Sequence, residues 1–171
     1  MVIIFNKIFL SIFTILVIGN NYDIDSIFNN NKNSPKRYKK YDVTIYRDTW
    51  GVPHIFGNKD EDAAYGLGYA HAEDDFKTIQ DILIAARGDL AKHYGKQMAA
   101  NDYMVQLLKI WDVVEKNYQN GLSEDVIKIS EAYADGINHY VSLYPNMALK
   151  GVFPVTGKDI VAGFIHRMPL M

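Results

Sequence analysis

Tyr41-Asp42-Val43-Thr44-Ile45-Tyr46-Arg47-Asp48-Thr49-Trp50-Gly51-Val52-Pro53-His54-Ile55-Phe56 is where folded sequence begins. Val43 and Ile45 alternate with Asp42, Thr44 and Tyr46, the period-two pattern of a half-buried strand. Asp48-Thr49-Trp50-Gly51 supplies a turn, and residues 52–56 return as a second short strand. Pro53 has no N–H to give to a ladder, which confines it to an edge or a bulge. The folded part therefore opens with a β-hairpin.

Downstream the period changes from two to that of a helix. Asn58 followed by Glu61 has the spacing of a capping box, and Phe76, Ile79, Leu83 and Ala86 make an apolar stripe. Glu73 and Lys77 are spaced as an i,i+4 ion pair on the wet face. Gly66 and Gly68 each cost about 1 kcal/mol in a helix interior relative to Ala, so they predict a close backbone approach by another element. Arg87-Gly88 interrupts the helix, which resumes through Asp89 to Tyr94 and stops at Gly95. A helical stretch follows from Tyr103 to Trp111, then a loop at 117–121. Ser123 caps the clearest helix, in which Val126, Ser130, Tyr133, Ile137, Tyr140 and Tyr144 share one face and Pro145 closes the run. A Gly- and Pro-punctuated loop leads to a last apolar helix that starts near 156–159 and carries Ile160, Phe164 and Ile165. The fold class is mainly α with an N-terminal β-hairpin. A chain still apolar at Met168-Pro169-Leu170-Met171 is expected to be part of a longer one.

Upstream of the hairpin the sequence has a different character. Lys7 precedes an apolar run at 8–18, interrupted only by Ser11 and Thr14. That run fits a signal-peptide core and is shorter than the roughly 20 residues a bilayer span needs. Cleavage after Gly19 is the expectation. An uncleaved anchor is the alternative, because residues 1–5 are also apolar, although Asn6 and Lys7 interrupt the extension. Residues 20–40 hold Asn29-Asn30-Asn31 and then Lys32, Lys36, Arg37, Lys39 and Lys40. Such a polar stretch buries too little to offset its ordering entropy and reads as a solvated linker. The division is thus a signal peptide at 1–19, a basic, Asn-rich linker at 20–40 and a partial domain at 41–171. The expected location is periplasmic or secreted.

Composition excludes several functions. The 171 residues are 49% hydrophobic and 22% charged, compatible with a packed core. Eighteen basic residues against twenty acidic ones give a net charge of −2, which argues against a nucleic-acid partner. With no cysteine, disulfides, thiolate metal sites and a Cys nucleophile are all absent. Gly66-Leu67-Gly68 lacks the third glycine and the leading strand of a dinucleotide site. Gly151 and Gly157-Lys158 miss phosphate-loop spacing, and Asp159 stands where Ser or Thr belongs. His71 and Glu73, two apart on a helix, point to different faces. Asp135 and His139 are spaced for an acid–base couple, with a surface ion pair as the commoner explanation. No G-x-S-x-G occurs, so spacing alone assembles no catalytic site.

Four segments in order carry a resemblance. Arg47-Asp48-Thr49-Trp50-Gly51-Val52-Pro53-His54-Ile55, Tyr65-Gly66-Leu67-Gly68-Tyr69-Ala70-His71-Ala72-Glu73-Asp74, Ala86-Arg87-Gly88-Asp89-Leu90-Ala91 and Tyr133-Ala134-Asp135-Gly136-Ile137-Asn138 resemble landmarks of the penicillin acylase family of N-terminal-nucleophile hydrolases. The third segment is closer to the branch that cleaves acyl-homoserine lactones or lipopeptides.

The resemblance implies an exported zymogen that cuts itself into an α-subunit and a larger β-subunit. The new N-terminal residue of the β-subunit, usually Ser, attacks the amide carbonyl with its own α-amine as base. This chain resembles the α-subunit part of such an αββα hydrolase, so it holds no catalytic residue and alone is expected to be inactive. Its implied partners are the β-subunit from the same precursor and an acylated small molecule. Gly51 and Pro53 would shape the turn, and Asp135 and Asn138 would bond backbone. Met168, with Met171 nearby, falls where the family places acyl-pocket methionines; a flexible thioether suits varied acyl tails. Calcium belongs, if anywhere, to the full-length protein, with no metal ligand in this chain. The rival function is a non-catalytic secreted helical binding module left by loss of the catalytic subunit.

Overall fold

The computed structural model describes residues 40–168. The proposed signal peptide, all of the linker but Lys40, and Met171 lie outside the described residues. Strands β1 (Val43–Arg47) and β2 (Pro53–Gly57) pair antiparallel, with Ile45 opposite Ile55 and Arg47 opposite Pro53. Pro53 thus sits at the ladder's end, where its missing N–H costs little. The turn is held by Asp48, whose Oδ1 accepts from the N–H groups of Trp50 (2.8 Å) and Val52 (3.0 Å). Gly51 has φ +83°, the left-handed region that a side chain disfavours.

Helix α1 spans Asp60–Arg87 and α2 spans Leu90–Tyr94. The cap of α1 lies one residue later than expected. Asp62, at the third helical position, accepts from the N–H groups of Lys59 (3.2 Å) and Asp42 (3.1 Å). Asn58 instead donates its amide to Asp42 Oδ2 at 2.9 Å. The buried Asp62 therefore starts the helix and ties it to the hairpin.

The expected Glu73–Lys77 pair does not form. Asp75 leaves helical geometry (φ −149°, ψ 69°), so the two side chains no longer share a face. Its carboxylate accepts from Thr78 N–H at 3.1 Å and caps the second half of α1. Glu73 and Asp74 both pair with Arg47 of β1, and Lys77 pairs with Asp81. Gly88, at φ 71° and ψ 34°, ends α1 in the left-handed conformation that favours glycine.

The stretch expected as one helix from Tyr103 to Trp111 is two: α3 (Ala99–Leu107) and α4 (Ile110–Asn117), separated by Lys109 at φ 51°. Helix α5 (Glu124–Leu143) begins where expected, with Ser123 Oγ accepting from Val126 N–H. Only the middle of its apolar face is covered, Val126 and Tyr144 being exposed at the ends. Helix α6 spans Gly157–Arg167.

The centre of the molecule is the crossing of α1 and α5. A Cβ on Gly68 would overlap the Tyr133 carbonyl, and one on Gly136 would overlap the Tyr65 carbonyl. At Gly66 it would meet Ile55 Cγ2 and Val43 Cγ2 at 2.7 Å each. The close approach predicted for Gly66 and Gly68 is thus made by the hairpin and by α5. Leu83, Ile84, Ala134, Ile137, Val152 and Val155 form the adjoining apolar cluster. The loop between α5 and α6 is pinned by Asn138, which donates to Val155 O (2.7 Å) and accepts from Val155 N (2.8 Å).

Candidate acyl-binding face

Arg87, at the last turn of α1, sets the approach of α6. Its Nε donates to Asp159 Oδ1 at 2.7 Å, and its Nη1 donates to Val152 O at 2.7 Å. The other Asp159 oxygen accepts from Thr156 N–H (2.8 Å) and from the Thr156 hydroxyl (3.0 Å). One buried carboxylate thus caps α6 and receives a guanidinium, leaving neither charge alone in the interior.

From this anchor α6 runs beside α1 and α5 and leaves an apolar groove of about 440 Å³. Leu67, Ile79 and Ile82 of α1, Ile129 of α5, and Ile160 and Phe164 of α6 line it, with His71 and Arg167 among its polar lining residues. Phe164 is 72% exposed and Met168, just past the helix, 66% exposed. Met168 is therefore open to a ligand or a partner, whereas Met171 lies outside the described residues.

The hairpin adds further open apolar surface through Trp50, 88% exposed, with Val52 and Phe56. Among the described residues no helix is long and apolar enough to cross a membrane. Among the described residues no group of three or more His, Asp and Glu side chains is arranged to hold a metal ion.

His71 and Glu73 diverge as their spacing requires: His71 Nδ1 contacts the Tyr133 hydroxyl at 2.8 Å, and Glu73 binds Arg47. Asp135 and His139 are not a surface pair. Both are buried, 2% and 1% exposed, on the face of α5 turned to the hairpin and α1. Asp135 accepts from the Tyr41 hydroxyl at 2.8 Å, a side-chain donor. His139 Nδ1 meets the Tyr65 hydroxyl at 2.5 Å, and the Tyr41 and Tyr65 rings stack with centroids 4.5 Å apart. Burial drives the His139 pKa down to about 4, so the ring is neutral at pH 7. These residues join the hairpin to the crossing.

Sequence reasoning passed over Arg87, Asn101, Asp159 and His166, the polar residues that hold α6. Their separations of 72 and 65 residues leave no local periodicity to read. Only the capping spacing Thr156-x-x-Asp159 was a usable signal.

The penicillin amidase family profile matches residues 42–162. "Penicillin acylase 2 proenzyme" of Pseudomonas sp. (strain SE83) is 29% identical over 100 residues, 58% of this chain and 13% of that protein. "Acyl-homoserine lactone acylase QuiP" of Pseudomonas aeruginosa is 30% identical over 102 residues, 60% of this chain and 12% of the relative. The chain thus spans a small fraction of the length of the curated relatives it matches. A solved thermostable penicillin G acylase from Alcaligenes faecalis superposes with a TM-score of 0.59 at 27% identity, covering 74% of this chain and 72% of that one. The hairpin, the glycine-sealed crossing and these matches together place the chain in the penicillin amidase family.

Proposed function

We propose that this chain is the N-terminal, α-subunit portion of an exported acylase that hydrolyses linear amide bonds of acylated small molecules such as penicillins, acyl-homoserine lactones or lipopeptides. The observation that carries the reading is the family match over residues 42–162. The placement of α6 adds to it, since Phe164 lines an apolar groove and is exposed, and Met168, one turn further on, is exposed as well.

In this reading the chain binds and encloses, and the chemistry belongs to the β-subunit. The β-subunit's N-terminal hydroxyl attacks the acyl carbonyl, its α-amine accepts the proton, and the leaving amine receives it back. The present residues offer an apolar wall for the acyl tail and exclude water from it. Binding energy from the tail then serves to orient the scissile amide. Met168 is the side chain assigned to the tail.

The test is expression of the full-length precursor beside residues 41–171 alone. Self-cleavage into two subunits and turnover of acyl p-nitroanilides by the precursor, with none by the short chain, is the expected result. Turnover by the short chain that survives replacement of its serines would overturn the division of roles. Export is tested by Leu16→Arg, which should retain the precursor in the cytoplasm; unchanged fractionation would remove the targeting assignment.

A further inference from the structure

The residues that α6 buries are Gly157, Asp159 and Ala162, none with a large apolar side chain. Ile160, Val161 and Ile165 are half-buried against the neighbouring apolar clusters, and polar contacts at both ends of α6 add to that packing in fixing its rotation and last turn. The Arg87–Asp159 pair fixes the N-terminal end. Near the other end His166 Nε2 lies 2.7 Å from Asn101 Oδ1, at the start of α3. The amide orientation follows from its second bond, because Asn101 Nδ2 donates to Ala85 O at 2.9 Å. The carbonyl oxygen of Asn101 consequently faces His166, which must carry its proton on Nε2. A relay of two hydrogen bonds thus runs from the end of α1, through α3, into the last turn of α6.

The α3 end of this relay is itself braced. Asp102, next to Asn101, accepts from Leu90 N–H (2.9 Å) and Ala91 N–H (2.8 Å) at the start of α2. Asn101 is thus held by its neighbours, and the bond it accepts from His166 transmits that rigidity to α6. Phe164 and Met168 flank His166 two residues to either side.

We propose that Asn101 and His166 are positioning residues whose hydrogen bond sets the placement of Phe164 and Met168 and so selects acyl length. The inference rests on the reading above that α6 bears the acyl pocket; it adds two residues that need not touch the substrate.

The test uses the full-length precursor as wild type, Asn101→Ala, His166→Ala and His166→Gln. Each is assayed on straight-chain acyl p-nitroanilides from hexanoyl to dodecanoyl, with self-cleavage and Tm recorded. The alanine variants should shift the dodecanoyl-to-hexanoyl ratio of kcat/KM about tenfold, through KM with kcat largely kept. Glutamine, whose amide retains a donor, should restore most of the wild-type profile. An unchanged profile in the alanine variants overturns the inference, as does a uniform loss of kcat. Loss of the folded state in both alanine variants also overturns it, by making the pair a structural clamp. If the wild type cleaves itself yet hydrolyses none of the anilides, the acyl-pocket reading falls first and takes the inference with it.

Discussion

The crossing of α1 with α5 and the face carried by α6 are built from opposite materials. At the crossing, Gly68 and Gly136 let two backbones approach to carbonyl contact, and Asp135 and His139 are buried with tyrosine hydroxyls against them. On the α6 face, Phe164 and Met168 project from a helix whose buried residues are small or charged. The first region is completed by this chain itself. The second leaves large apolar side chains uncovered, which the proposed function assigns to the acyl tail and the β-subunit.

The difference is broken most severely at the crossing. Gly136→Val should cost about 4 kcal/mol or more, because the branched side chain must displace the Tyr65 carbonyl. Urea unfolding measures the loss; a cost under about 1 kcal/mol would mean that the helices are free to separate.

Next in size is the anchor between the two regions. Arg87→Met should cost about 3 kcal/mol or more, since it leaves the Asp159 carboxylate buried without its guanidinium. Adding Asp159→Asn to Arg87→Met should recover part of that loss, because the stranded charge is removed. Equal stability of the single and double variants would show that the pair carries no such charge penalty.

The buried histidine sharpens the comparison by pH. His139 has its pKa lowered from 6.5 to about 4 by burial, so the unfolded chain binds the proton more readily than the folded one. Its contribution is complete above the unfolded value and is lost as pH falls from about 6.5 toward 4, a decline of up to about 3 kcal/mol. His139→Asn should flatten this part of the stability–pH curve. A wild-type curve already flat there would contradict the burial argument.

The smallest effect is expected on the open face. Phe164→Ser should change the stability of residues 41–171 by no more than about 0.5 kcal/mol. In the full-length precursor the same change should reduce the yield of assembled, self-cleaved protein, read by gel. A large loss in the short chain would show that Phe164 is already packed.

How much of this was legible in the sequence follows the range of the interactions. The hairpin, the Ser123 cap and the Gly88 stop are local, with turn and capping chemistry written within a few residues. Gly66 and Gly68 announced a close approach because glycine in a helix interior needs a reason, although its partners, Tyr133 and the hairpin, were not visible. The Glu73–Lys77 pair failed because the helix breaks at Asp75, and Arg47, on the hairpin, claims Glu73 and Asp74. Asp135 and His139 looked solvated for the same reason. Their partners, Tyr41 and Tyr65, lie 94 and 74 residues away. Met168 came from resemblance, and nothing in its local spacing distinguishes it from an ordinary packed methionine.

The crossing is complete within this chain, and the α6 face is not. Thermal unfolding of residues 41–171 with a dye that fluoresces on exposed apolar surface, alone and co-expressed with the downstream polypeptide, separates the two. Strong dye binding and a low, broad transition are expected for the short chain alone. With the partner, the dye signal should fall and the transition should rise and sharpen. A sharp, cooperative transition with little dye binding for the short chain alone would contradict that expectation and favour a self-sufficient binding module.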